Sequence, residues 1–272
     1  MDQKLSKGIL LGNGRSAEVF DLNPTQVVKL FYPGIALKSI EREFEIMQIV
    51  NATGVAAPAV EKIVKIEGRF GIVMDRAPGR TMLTQMSERP TILYKCANKL
   101  AALHHDLHSR SGEGLPCQLL QLEERICSVR QLAFNKKQDV LKVLGSLTES
   151  GQLCHGDFHT DNVLFDENET MIIDWVDASC GSRFADIAKT SIILRLGTLP
   201  KDTPSWLRGA TMLFRKLFHD RYLKRCIGAS DENYQQFMTW QVPVAAARLS
   251  DGVKEEELPL LQLIDKGLQV YR

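Results

Sequence analysis

The 272-residue sequence predicts an α+β protein built in two parts. Three observations carry this. The first ~75 residues hold five β-rich runs around one helical segment. Beyond residue 80 helical periodicity dominates. A short β-rich stretch, Gly151 to Asp177, interrupts those helices.

The β-rich runs are Ile9-Leu10-Leu11, Ala17 to Leu22, Gln26 to Phe31, Val60 to Ile66 and Phe70 to Met74. Turn residues separate them: Gly12-Asn13-Gly14, Asn23-Pro24, Pro33-Gly34 and Glu67-Gly68-Arg69. The helical segment between the third and fourth runs is Lys38 to Val50. Pro78 and Gly79 mark a connector. Helices are then expected over Thr91 to Leu107, Leu119 to Phe134, Lys136 to Leu147, Asp186 to Leu196, Trp206 to Arg225, Asn233 to Leu249 and Glu255 to Val270. The expected domains are 1–75, a hinge at 76–80, and 81–272.

Composition excludes several classes. Hydrophobic content of 44% and charged content of 25% are those of a globular chain, not a disordered or collagenous one. Lys and Arg number 34 against 33 Asp and Glu, so no basic excess points to nucleic acid. No apolar run approaches the ~18 residues of a membrane span, so no membrane partner is expected. Met1 to Ser16 lacks the apolar core of a secretory signal. Six Cys without a C-x-x-C pair fit reduced thiols and a cytoplasmic location.

Gly12-Asn13-Gly14-Arg15-Ser16-Ala17-Glu18-Val19 fits G-x-G-x-x-G-x-V with Ala17 at the third Gly. Glycines at Gly12 and Gly14 would let backbone N–H groups approach phosphate oxygens. An ordinary hairpin turn is the competing reading. A strand rather than a helix follows, which excludes a dinucleotide fold. Strand alternation places Lys29 on one face with Val27 and Phe31. It is either an edge lysine in solvent or an ammonium aimed at phosphates. On the helix 38–50, Glu43 falls amid Ile40, Phe44, Ile46, Met47 and Val50, whereas Glu41 and Glu45 fall opposite. A carboxylate on an apolar face needs a partner, and Lys29 is the economical one.

The strongest pattern is His155-Gly156-Asp157-Phe158-His159-Thr160-Asp161-Asn162-Val163-Leu164-Phe165, an H-x-D-x-x-x-x-N followed by an apolar strand. Ile172-Ile173-Asp174-Trp175 is a second apolar strand, and a hairpin over Asp166 to Glu169 would bring Asn162 and Asp174 together. Their oxygen donors suit Mg²⁺. Asp157 then serves to accept a proton from an attacking hydroxyl.

These residues resemble the aminoglycoside phosphotransferase and choline-kinase-like family, which has a protein-kinase-like fold. The resemblance runs from Gly12 to about Lys189 and includes Leu100 to His104 and Phe184 to Ala188. Thr160-Asp161 stands where the family more often has Pro-Gly, and Val176 follows Trp175 where protein kinases have Gly. The resemblance implies an ATP-dependent, Mg²⁺-assisted kinase acting on a small-molecule hydroxyl, such as that of an aminoglycoside, a choline-like amino alcohol or a sugar. It implies Asp157 as catalytic base and Asn162 and Asp174 as metal ligands. Lys29, paired with Glu43, would contact the α/β-phosphates, and backbone from Met74 through Asp75 to Arg76 would face adenine.

A protein kinase is one alternative, but there is no A-P-E, and eleven residues between Asp174 and Asp186 leave little room for a peptide platform. A nucleotide-binding regulator without catalysis is the other, and it has no need of Asp157. His104 and His108 have a zinc-like i, i+4 spacing without an evident third ligand, so a helix end with satisfied histidines is expected instead. Asp186 is expected to brace the catalytic loop. Asp177 is expected in a turn or cap, and Glu255 to Glu257 at a solvated helix start. Trp206, Tyr234 and Trp240 are candidate acceptor-site aromatics or core residues.

Overall fold

The computed structural model describes residues 7–148, 150–197 and 205–270. In chain order they form β1 (Leu10–Asn13), β2 (Ala17–Asn23), β3 (Gln26–Phe31), α1 (Leu37–Ala52), β4 (Val60–Ile66), β5 (Arg69–Asp75), β6 (Arg80–Thr81), α2 (Met82–Glu88), α3 (Leu93–His108), α4 (Gln118–Ser128) and α5 (Phe134–Gly145). There follow β7 (Gln152–Cys154), β8 (Val163–Phe165), β9 (Thr170–Ile172), β10 (Ser179–Gly181), α6 (Arg183–Leu196), α7 (Ser205–Ile227), α8 (Asp231–Arg248) and α9 (Lys254–Val270). Two compact units divide them: residues up to 82 with 161–176, and 83–160 with those from 177 on. The boundary falls inside the H-x-D-x-x-x-x-N motif.

The first unit is an antiparallel sheet in the order β1-β2-β3-β5-β4 with α1 against it. Both faces of β3 are apolar, which explains its unbroken run. Val28 and Leu30 pack with Phe20, Ile66 and Val73 on one face. Phe31 packs with Ala17, Ile72 and Ile40 of α1 on the other. The methyl of Ala17 is thus a core group, which accounts for its place in the glycine motif. β4 turns into β5 through Glu67 and Gly68, both at positive φ (51° and 82°). The same unit contains a second small sheet, β6-β8-β9. Gly79 leads into it at φ 65°, and a Cβ there would lie 2.1 Å from the Phe165 carbonyl oxygen, so only glycine fits.

The second unit is mainly helical. α3 packs on α7, α6 on α8, and α8 on α9, with the ribbon β7-β10 beside them. Trp240, Val242, Val244 and Ala245 to Ala247 of α8 are buried. No helix among the described residues is long and apolar enough to cross a membrane.

Three expectations differ from this. The first residues past the connector form α2, where no helix is expected: its seven residues are too few to show a clear period. The segment expected as one helix from Leu119 to Phe134 ends at Ser128. There Val129 turns extended and its side chain, with that of Leu132, is buried in the loop. Glu256 is not solvated: it is 2% exposed and accepts two hydrogen bonds from Arg248, at 2.8 and 3.1 Å.

Candidate active site

In the first unit, alternation on β3 and the turn of α1 bring Lys29 and Glu43 face to face. Lys29 Nζ donates to Glu43 Oε1 at 2.6 Å and to Asp174 Oδ1 at 3.3 Å. Burial would lower the Lys29 ammonium, but the two carboxylates outweigh it and raise it above the ordinary lysine value. The Glu43 side chain is 9% exposed and that of Asp174 is 43% exposed. The pairing expected from the helical wheel is therefore present, and Asp174 joins it. A double-mutant cycle of Lys29→Met and Glu43→Gln should be non-additive in unfolding free energy by about 0.5–3 kcal/mol, the range for residues in contact. Additivity would mean that the ion pair contributes nothing.

Asp174 follows β9 at φ 64°, a left-handed conformation that Asp tolerates better than most residues. Ile173 N–H donates to the Asn162 carbonyl at 2.9 Å, so the hairpin of β8 and β9 holds Asn162 and Asp174 on neighbouring ends. Gly12 and Gly14 lie at the β1–β2 turn, where Gly14 N–H donates to Ala17 O at 2.9 Å. A Cβ added at Gly12 would meet nothing within 4 Å, so packing does not demand a glycine there. Met74 and Asp75 end β5. The N–H groups of Asp75 and Arg76 are taken, by Ala59 O at 2.9 Å and Thr25 O at 2.8 Å. Arg76 also pairs with Asp21 at 2.9 Å.

In the second unit, Asp157 N–H donates to His155 Nδ1 at 3.2 Å, and the Asp157 carboxylate lies 3.4 Å from His159 Nε2. Burial would raise the Asp157 carboxyl. The bond and charge of His159, then Lys189 and His155, outweigh it and hold the group well below the usual carboxylate range. Asp157 is thus an anion throughout the working pH range. Sequence reasoning placed His159 in the loop without seeing that it faces Asp157.

Asp186 sits in the first turn of α6, is 1% exposed, and fastens the loop as expected. It accepts from His155 N at 2.8 Å, Gly156 N at 2.9 Å, His104 Nε2 at 3.1 Å and His108 Nε2 at 3.2 Å. Burial opposes its charge, but the two histidines hold the carboxyl well below its ordinary range. His104 is pushed down to about 4, chiefly by burial and then by His108. Neutral His104 donates through Nε2 and accepts at Nδ1 from the Tyr222 hydroxyl. The three side chains are close enough to ligate an ion. The carboxylate is already satisfied by four donors, so the cluster works as a brace.

Asp177 pairs with Lys189 at 3.1 Å and with Arg125 at 3.7 Å. Burial would raise its carboxyl, and these cations lower it instead. Arg125 and Gln118, both on α4, carry no sequence motif and were found only through the fold. Trp240 is 1% exposed and belongs to the core, Tyr234 is 49% exposed, and the Trp206 side chain lies outside the described residues.

The model of the phosphotransferase enzyme family matches residues 7–211. Among curated proteins, none matches the chain in sequence. Solved structures similar to it include a thermostable mutant of aminoglycoside phosphotransferase APH(4)-Ia in its apo form, at 15% identity and TM-score 0.63 over 97% of this chain and 94% of that one. The amicoumacin kinase hAmiN is similar at 13% identity and TM-score 0.57 over 97% and 88%. A choline/ethanolamine kinase family protein from Mesorhizobium loti is similar at 13% identity and TM-score 0.59 over 98% and 87%. At these identities the likeness is one of fold, and the fold is the kinase-like one expected from the sequence.

Proposed function

Because the chain belongs to the phosphotransferase enzyme family, we propose that it transfers the γ-phosphoryl group of ATP to a hydroxyl of a small molecule. The Lys29 ammonium carries this reading. Buried Glu43 fixes it from one side, while the more exposed Asp174 shares it from the other. A fixed cation beside an accessible carboxylate suits a metal-bound polyphosphate, since phosphoryl transfer is mainly positioning and charge stabilisation. Proteins of this fold have been solved with ADP and hygromycin B, and with AMP-PNP, Ca²⁺ and Ami.

The donor set fits Mg²⁺, which asks for few hard oxygen ligands and keeps water and phosphate for the rest. Asp174 and the Asn162 amide oxygen would hold it, and once bound it would orient the phosphates and offset their charge. Lys29 would contact the α/β-phosphates. The open side of Gly12, with Gly14 next to it, would admit phosphate oxygens to the backbone. With the N–H groups of Asp75 and Arg76 occupied, adenine would be left the N–H of Ala77 at the end of this backbone stretch from Met74 to Arg76. Asp157 would accept the acceptor's proton. The acceptor oxygen bonds to the γ-phosphorus, the bond to the β,γ-bridging oxygen breaks, and ADP leaves.

Asp174→Ala should weaken Mg²⁺-dependent binding of an ATP analogue by more than the roughly 10–100-fold that outer-shell changes cost at metal sites. Asn162→Ala should weaken it less. Calorimetric titration with and without Mg²⁺ reads both. Unchanged affinity in Asp174→Ala would place the metal elsewhere.

A further inference from the structure

Beside the catalytic loop the second unit forms a cleft of about 150 Å³ that is open on one side. Its open mouth lets a bound compound extend toward solvent, so the chemistry of its wall, and not its volume, selects the ligand. Gly156, the neighbour of Asp157, lines the cleft, and so does Lys189, whose charge acts on Asp157.

Its wall is polar in a particular way. Gln118 is 6% exposed, and its Oε1 is pinned by Ser182 N–H at 2.8 Å. That bond fixes the amide and leaves its NH₂ group without a partner among the described residues. The Gln121 side chain, one turn on, likewise makes no hydrogen bond among them. The wall's charges are balanced: Arg125, Lys189 and Arg248 against Glu124, Asp177 and Asp186. The inner carboxylates are engaged, Asp177 by Lys189 and Arg125, and Asp186 by four donors. Only Glu124, on the exposed side of α4, is left for a cation. An ammonium-rich ligand would meet amide donors and paired carboxylates, and each unmatched donor would cost it binding. A ligand rich in hydroxyl oxygens would meet donors and acceptors it can satisfy.

Resting on the phosphotransferase reading, we propose that this cleft holds the phosphoryl acceptor, and that the acceptor is an uncharged polyhydroxyl compound. One hydroxyl is directed at Asp157 while others are held by Gln118 and Gln121. The bond changes are those of phosphoryl transfer given above, with the hydroxyl proton passing to Asp157.

The full chain, with ATP and Mg²⁺, is offered a panel of neutral hexoses, pentoses and cyclitols and a second panel of choline, kanamycin and hygromycin B. ADP release and the product's gain of one phosphoryl group are recorded. Turnover should appear in the first panel. Gln121→Leu should raise the KM of the active compound roughly three- to ten-fold, the loss of one neutral hydrogen bond, and leave the KM for ATP in place. No turnover across the neutral panel overturns the proposal, as does a KM for the active compound that Gln121→Leu does not move. Titration with an ATP analogue separates the two levels. If it binds while only the charged panel turns over, the acceptor class is wrong and the phosphotransferase reading stands. If it does not bind, both fall.

Discussion

Asp157→Asn should slow phosphoryl transfer by about 10²–10⁴-fold, the usual contribution of a positioned base, which is roughly 2.7–5.4 kcal/mol of barrier. Affinity for an ATP analogue should stay close to that of the parent chain, because Lys29, Glu43, Asn162 and Asp174 are untouched. The reason is chemical. Lys189, His155 and His159 act on the Asp157 carboxylate and keep it ionised despite its burial. An amide of the same shape keeps the space but cannot take the hydroxyl proton. Single-turnover rates set against binding titrations separate the two effects. A variant that transfers at the parent rate removes Asp157 from the chemistry.

The second large effect is on stability. Asp186→Ala should cost about 3–5 kcal/mol, the penalty for breaking a buried charged network. It strands four donors at once: the N–H groups of His155 and Gly156 and the Nε2–H groups of His104 and His108. Asp186→Asn should lose less, since its one carbonyl still accepts. Denaturant unfolding of the full chain reads both. Acid should act on the same cluster. The folded pKa of His104 is about 4, below its ordinary 6.5. Between those values the unfolded chain binds more protons, so stability should fall as pH drops from about 6.5 to 4, by roughly 3 kcal/mol from this group. The depressed carboxyl of Asp186 works in the same direction further down: its contribution is full above the ordinary carboxyl range and lost as pH falls below it. A Tm that is flat across pH 6.5 to 4 would mean that His104 is not held neutral.

How legible was this in the sequence? Local rules sufficed where one periodicity governed a segment. Alternation put Lys29 on the face that α1 covers, and the 100° step put Glu43 there to meet it. The spacing of Asn162 and Asp174 foretold a hairpin because the strands between them are short and apolar. Asp186 was legible as a brace, but not its partners. His104, His108 and Tyr222 come from α3 and α7, and nothing local announces that Tyr222, 118 residues after His104, closes the network. α2 was missed because seven residues give too few turns for a period to show. The break at Val129 was missed because apolar residues that suit a helix there fill the core from a loop instead. Gln118, Gln121 and Arg125 belong to an ordinary amphipathic helix, and only the fold turns that face toward the catalytic loop's own unit.

The most direct test of the account is label transfer. The full chain is incubated with γ-labelled ATP, Mg²⁺ and a deproteinised metabolite extract, and the label is followed into inorganic phosphate, small organic compounds or the protein itself. Label should enter a small hydroxylated compound, and Asp157→Asn should slow its entry by the same roughly 10²–10⁴-fold. Label confined to protein substrates added in parallel, or the same small-molecule labelling with Asp157→Asn, would contradict the account.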